Sequence, residues 1–130
     1  MTMTALAFVS TALALVLLAP QSRPVVAPKV ISVSPATGST VASGTVTIRV
    51  RFDQPMRSDG WSFVRVAGGE TPTCSNMPRQ LADGQSFELD CRVEPGRSYA
   101  LGFNGGSFWN FRGTNGLAAE AAVLRFRTRR

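Results

Sequence analysis

The sequence predicts an all-β protein, an antiparallel β-sandwich of about seven strands behind an N-terminal signal segment. Apolar and polar residues alternate with period 2 in four separate stretches. Turns rich in Gly, Pro and Asn fall between them at regular spacing. A hydrophobic share of 44% with only 17% charged residues suits a packed core rather than a disordered chain, and 130 residues allow one domain with a tail.

From Ala5 to Ala19 the chain carries about fifteen residues without a charge, the length and place of the apolar region of a secretory signal. Residues 1–22 therefore read as an export signal, without a clean small-x-small cleavage site because Pro20 and Pro28 follow the candidate alanines. The alternative is an uncleaved anchor from Thr2 to Pro20, just long enough at about 1.5 Å per residue to cross about 30 Å of hydrocarbon. No Cys ends the segment, so lipid anchoring has no attachment point. Residues 23–28 read as a linker, and 29–130 as the domain.

The domain opens with Val30–Val33, a β-branched run closed by the turn composition Ser34-Pro35-Ala36-Thr37-Gly38. Thr45 to Phe52 then alternates without error: Val46, Ile48, Val50 and Phe52 share one face, Thr45, Thr47, Arg49 and Arg51 the other. Pro55 ends that strand, lacking an amide hydrogen for the ladder. Trp61 to Val66 adds another strand, Gly68-Gly69 breaks it, and a weaker one runs from Thr71 to Cys74. Ser86–Cys91 and Ser98–Phe103 alternate next, with Phe87, Leu89 and Cys91, then Tyr99, Leu101 and Phe103, facing the core. Between them Glu94-Pro95-Gly96-Arg97 has type II turn chemistry and predicts a hairpin. Leu117 to Ala122 contains good helix formers and predicts a single helical turn. Val123–Thr128 is the last strand, with Leu124 and Phe126 inward and one wet face, as in the others.

Cys74 and Cys91 are the only cysteines, and export would place them in an oxidising compartment, which predicts a structural disulfide. A redox or metal pair needs closer spacing or more ligands. The chain has no His, which removes Ser-His-Asp and Cys-His catalysis and the common zinc sites together. Glu88 and Asp90 share a strand face at about 7 Å, near the separation that glycosidases use, but outward acids on a strand are ordinarily solvated surface. No Gly-rich loop joins a strand to a helix, and Asp53, Asp59 and Asp83 do not make a calcium loop. The expectation is no enzyme, no cofactor and no metal.

The net charge is +6, from 14 basic residues against 8 acidic, and all the basic residues but Lys29 are Arg. Outward Arg49 and Arg51 on one strand, and Arg125 and Arg127 on the last, followed by Arg129 and Arg130, are candidate anion sites. They form two patches if the strands belong to opposite sheets. An aromatic cluster of Phe103, Phe108, Trp109 and Phe111 around Asn104-Gly105-Gly106-Ser107 and Asn110 is a candidate sugar-stacking edge. The ligand-binding candidates are thus Arg125, Arg127, Trp109 and Phe108.

The run Val30-Ile31-Ser32-Val33-Ser34-Pro35-Ala36-Thr37-Gly38-Ser39-Thr40-Val41, with Phe52-Asp53-Gln54-Pro55-Met56 after it, resembles the bacterial immunoglobulin-like domain of the S-layer (SbsA-like) type. Glu94-Pro95-Gly96-Arg97-Ser98-Tyr99, Asn115-Gly116-Leu117 and Phe126-Arg127-Thr128 are similar to later phrases of that family in the same order. The resemblance covers most of Pro28 to Arg130 and implies an immunoglobulin-like sandwich, accessory or adhesive at the bacterial cell envelope. The opening phrases are also similar to the periplasmic copper-resistance proteins of the CopC type, whose copper sites depend on the histidine this chain lacks. The implied partner is an envelope protein or glycan; nucleic acid is not expected, and membrane only through the N-terminal segment if it stays uncleaved.

Overall fold

A computed structural model describes residues 2–7, 9–14 and 25–130. Much of the expected signal segment, with its Ala19 junction, and the start of the expected linker at Arg23 and Pro24 lie outside the described residues. Among the described residues, no helix is long and apolar enough to cross a membrane.

Among the described residues nine strands form two sheets: β1 (Val30–Ser34), β2 (Thr40–Val41), β3 (Gly44–Phe52), β4 (Phe63–Val64), β5 (Thr73–Cys74), β6 (Arg79–Gln80), β7 (Ser86–Val93), β8 (Ser98–Phe103) and β9 (Ala122–Thr128). One sheet runs β1-β3-β7-β5, with β6 on the same edge of β7; the other runs β2-β9-β8-β4. Neighbours are antiparallel except β2 and β9, which run parallel. The described domain is all-β, as expected, and four of its strands, β2, β4, β5 and β6, are two-residue pieces. A cis Ser34–Pro35 bond lies where the chain leaves β1 in the first sheet for β2 in the second.

The alternation in β3 decides the core. Its register sets Val50 against Phe87, Ile48 against Leu89 and Val46 against Cys91, so the inward residues of β3 and β7 fall side by side. Leu101, Phe103, Leu124 and Phe126 face them from the second sheet, all at most 3% exposed. Each such side chain contributes about 1.5–3 kcal/mol by leaving water. Pro28 is fully buried, and the Val26 carbonyl accepts from the Gln54 and Asn115 amides, so the domain holds the last residues before β1.

Four expectations change. Glu94–Arg97 is not a hairpin: β7 and β8 belong to different sheets, and the turn carries the chain across the end of the sandwich. Gly96 does adopt the positive φ (67°) that the turn chemistry implies. The corner is fixed by Tyr99, whose Oη accepts the Glu94 N–H at 2.7 Å, and by Thr128, whose Oγ1 accepts the Arg97 N–H at 2.9 Å and donates to the Glu94 carbonyl. This is the tyrosine-corner arrangement of immunoglobulin-like sandwiches.

Second, β8 has no wet face. Residues 64–69 cover it, so tightly that a Cβ on Gly102 would lie 2.6 Å from Val64 Cγ2 and 2.9 Å from Val66 Cγ1. Third, Trp61–Val66 shortens to the Phe63–Val64 strand. Fourth, Leu117–Ala121 is extended, not helical; Ala119 is buried and its N–H bonds to the Phe111 carbonyl, so tertiary pairing overrides helix propensity.

The disulfide forms. Cys74 and Cys91 are directly opposed on β5 and β7, with Cα atoms 3.9 Å apart, so the bridge links neighbours in one sheet and not the two layers.

Candidate binding surfaces

The two arginine pairs do lie on opposite sheets, β3 in one and β9 in the other, and their surroundings differ. On β3, Arg49 stands opposite Glu88 of β7, which stands opposite Arg79 of β6, in one cross-strand row. Arg49 reaches Glu88 Oε1 at 2.5 Å, Arg79 reaches Oε2 at 2.7 Å, and Arg79 also reaches Asp90 at 3.0 Å. Thr47 Oγ1 donates to the other oxygen of Asp90 at 2.9 Å. Arg51 lies 3.9 Å from Asp83. The cations of this face are largely answered by acids of the same face.

This network also decides the carboxylate question. Hydrogen bonds from Arg49, then Arg79, hold Glu88 below the usual carboxylate range, and those from Arg79, then Thr47, do the same for Asp90. A glycosidase pair needs one carboxyl kept protonated as the acid, the opposite of what these guanidiniums do. Among the described residues no group of three or more His, Cys, Asp or Glu is placed to hold a metal ion.

The β2-β9-β8-β4 sheet presents the other pair without acidic partners. Arg127 lies in register between Thr40 of β2 and Ser98 of β8. Arg125 donates to the Ala67 carbonyl at 2.9 Å, which holds its guanidinium in place and leaves most of its N–H groups free. Together with Gly38 and Gly68 these residues line a cleft of about 460 Å³ whose walls carry no acid. Beside the start of β8, Arg97 pairs with Glu70 at 2.8 Å.

The aromatic cluster divides. Phe103 and Phe111 are fully buried core rings and not a loop edge. Asn104, at φ 59°, draws the loop inward: its Nδ2 donates to the carbonyls of Phe111 and Ala119, and its Oδ1 accepts the Phe111 N–H. Trp109 turns back on its own loop, its Nε1–H donating to the Gly106 carbonyl at 2.7 Å. Phe108, 60% exposed, borders a groove of about 350 Å³ between the β4 and β5 edges, which Trp61 lines with it and Trp109 does not. Trp61 was missing from the sequence candidates because it reads as part of a strand; at 40% exposure it is a surface residue.

The arrangement of paired sheets, inward alternation and tyrosine corner is that of an immunoglobulin-like domain, and the family model for the bacterial Ig-like domain matches residues 24–128. The chain belongs to this family. No curated protein matches it. In this bacterial Ig-like domain the cleft of Arg125 and Arg127 is built on the second sheet, and the aromatic groove lies between β4 of that sheet and β5 of the first, while Glu88 and Asp90 of the first sheet pair with its own Arg49 and Arg79. The family and the disulfide together point to an extracellular or envelope protein.

Proposed function

We propose that this is an exported, non-catalytic module of the S-layer (SbsA-like) type with a binding or structural role at the bacterial cell envelope, and that it holds an acidic glycan of the envelope on the outer face of β9. The observation that carries this reading is the contrast between the faces: Arg49, Arg51 and Arg79 are paired, whereas Arg125 and Arg127 line a cleft with the Thr40 and Ser98 hydroxyls and no acid. Guanidinium forks donate two parallel hydrogen bonds to carboxylate or sulfate, and Arg125 is already oriented by the Ala67 carbonyl. The disulfide supports export, which takes the chain away from the nucleic acid of the cytosol.

The test is retention of the purified protein on an immobilised acidic glycan under a salt gradient. Retention is expected to be saturable and to weaken as salt rises. Arg125→Ala with Arg127→Ala should lower affinity about tenfold or more, equivalent to about 1.4 kcal/mol. Arg92→Ala, on β7 of the other sheet, should leave it unchanged. Equal loss in both variants, or retention indifferent to salt, would count against the reading.

A further inference from the structure

The groove beside Trp61 has a second compartment. Its first part is walled by Trp61, Phe63, Pro72 and Phe108, with Leu89 and Leu101 of the core beneath and the amides of Asn76 and Asn110 at its sides; no charged side chain lines it. Across Trp61 and Asn110, which border both, lies a polar cleft of about 470 Å³ formed with Arg57, Asp59, Gly60 and Arg112. An indole and an amide thus separate an uncharged aromatic groove from an arginine-bearing one.

The partition is held in place by the fold. The Asn110 N–H donates to Ser62 Oγ at 2.9 Å, next to Trp61, and the Asn104 N–H donates to the Ser62 carbonyl. The Arg57 N–H bonds to the Arg112 carbonyl at 2.9 Å, and Met56 bridges Gly113, so the two arginines come from paired backbone. Arg57 lies 3.3 Å from Asp59 in an exposed pair of small worth, and Arg112 donates to the Gly116 carbonyl at 3.2 Å. Each guanidinium has five N–H donors, so both keep free ones. The cleft counts two cations against one acid.

We propose that this composite site binds an acidic saccharide, an uncharged sugar ring seated against Trp61 and Phe108 and the carboxylate or sulfate of the adjoining sugar on Arg57 and Arg112. The C–H face of a sugar ring stacks on an aromatic ring, and its hydroxyls match the Asn76 and Asn110 amides. An apolar peptide segment would leave the arginines of the adjoining compartment without a counter-charge. The charge of the second compartment selects an anionic neighbour. The site is separate from the cleft of Arg125 and Arg127: no residue lining either of its compartments lines that cleft. The inference therefore stands or falls apart from the Arg125 and Arg127 reading.

The experiment is a tryptophan-fluorescence titration of the purified protein carrying Trp109→Phe, so that Trp61 is the reporter, with hyaluronan tetrasaccharide as the acidic probe and fully N-acetylated chitotetraose as the uncharged one. Hyaluronan tetrasaccharide should shift the emission saturably, with chitotetraose at least about tenfold weaker, a difference of about 1.4 kcal/mol. Adding Arg57→Ala and Arg112→Ala should bring the two probes together, and adding Arg125→Ala and Arg127→Ala should change nothing. The proposal is overturned if neither saccharide shifts Trp61, if the preference survives loss of Arg57 and Arg112, or if it follows Arg125 and Arg127. A shift caused only by an uncharged apolar peptide also overturns it and assigns the groove to a protein partner. Because Arg57 and Arg112 are exposed residues outside the core, their variants remain informative if a Trp61→Ala protein fails to fold.

Discussion

Replacing Phe111 tests whether the loop between β8 and β9 is part of the core or merely rests on it. Phe111 is fully buried, with its ring centroid 5.1 Å from those of Phe52, Phe63 and Phe87 and 6.3 Å from that of Phe103. Three of these contacts are edge-on, at interplanar angles of 79°, 69° and 63°. Phe111→Ala removes the ring from a site walled by other rings that cannot collapse far, so it should cost about 3–5 kcal/mol. Phe111→Leu keeps most of the volume but loses the ring-to-ring geometry, and about 1–2 kcal/mol is expected. With a urea dependence of about 2 kcal/mol per molar, the alanine midpoint should fall by about 2 M and the leucine midpoint by less than about 1 M. Urea unfolding followed by far-UV circular dichroism measures both. Tryptophan emission should change in the alanine variant before unfolding, since Trp109 and Asn110 precede Phe111 directly. An alanine cost below about 1.5 kcal/mol would falsify the view that this loop is pinned from within.

Removing the disulfide as Cys74→Ala with Cys91→Ala should cost about 3 kcal/mol, from the chain entropy of a loop closed at a sequence separation of 17; the urea midpoint reads it, and alkylation of native protein should label no thiol. Glu88, Asp90 and Asp83 are all held below their ordinary values, Asp83 chiefly by the Ser86 hydroxyl, so the native state binds fewer protons than the unfolded chain. Their contribution is complete above the unfolded carboxylate range of about 4 and is lost as pH falls through the lowered folded values. Unfolding midpoints should therefore drop below about pH 4, with a shallower drop in Glu88→Gln. Gly102→Ala drives a methyl into Val64 and Val66 and should destabilise by about 1–3 kcal/mol in thermal melts; an unchanged melting temperature would mean that residues 64–69 lift off β8 freely.

How much of this was legible differs from segment to segment. Period 2 in Thr45–Phe52 located β3 and its buried face because one side of that strand truly is wet. The same period misled for β8, whose second face is covered by a distant-in-register segment that no local pattern announces. Pro95 and Gly96 announced the turn, but turn chemistry does not say whether the next strand pairs with its predecessor or crosses to another layer. Two-residue strands such as β2 and β6 are too short to show any period. The arginines of β3 and β9 look alike in sequence; only the register that sets Glu88 beside Arg49, and Ser98 beside Arg127, tells them apart. Phe108 was found, but its companion Trp61 is remote in sequence and joined to it by folding.

The parallel contact of β2 with β9 bears on how the domain resists pulling. A row of backbone hydrogen bonds stitches it, among them Gly38 to the Arg125 carbonyl, Arg127 to the Ser39 carbonyl and Arg129 to the Val41 carbonyl. Tension applied along the two strands drags them past each other lengthwise, so these bonds share the force and must rupture together. An antiparallel closing pair tugged from one end would unzip them singly. Loaded along these two strands, the domain is in this way wired to yield late.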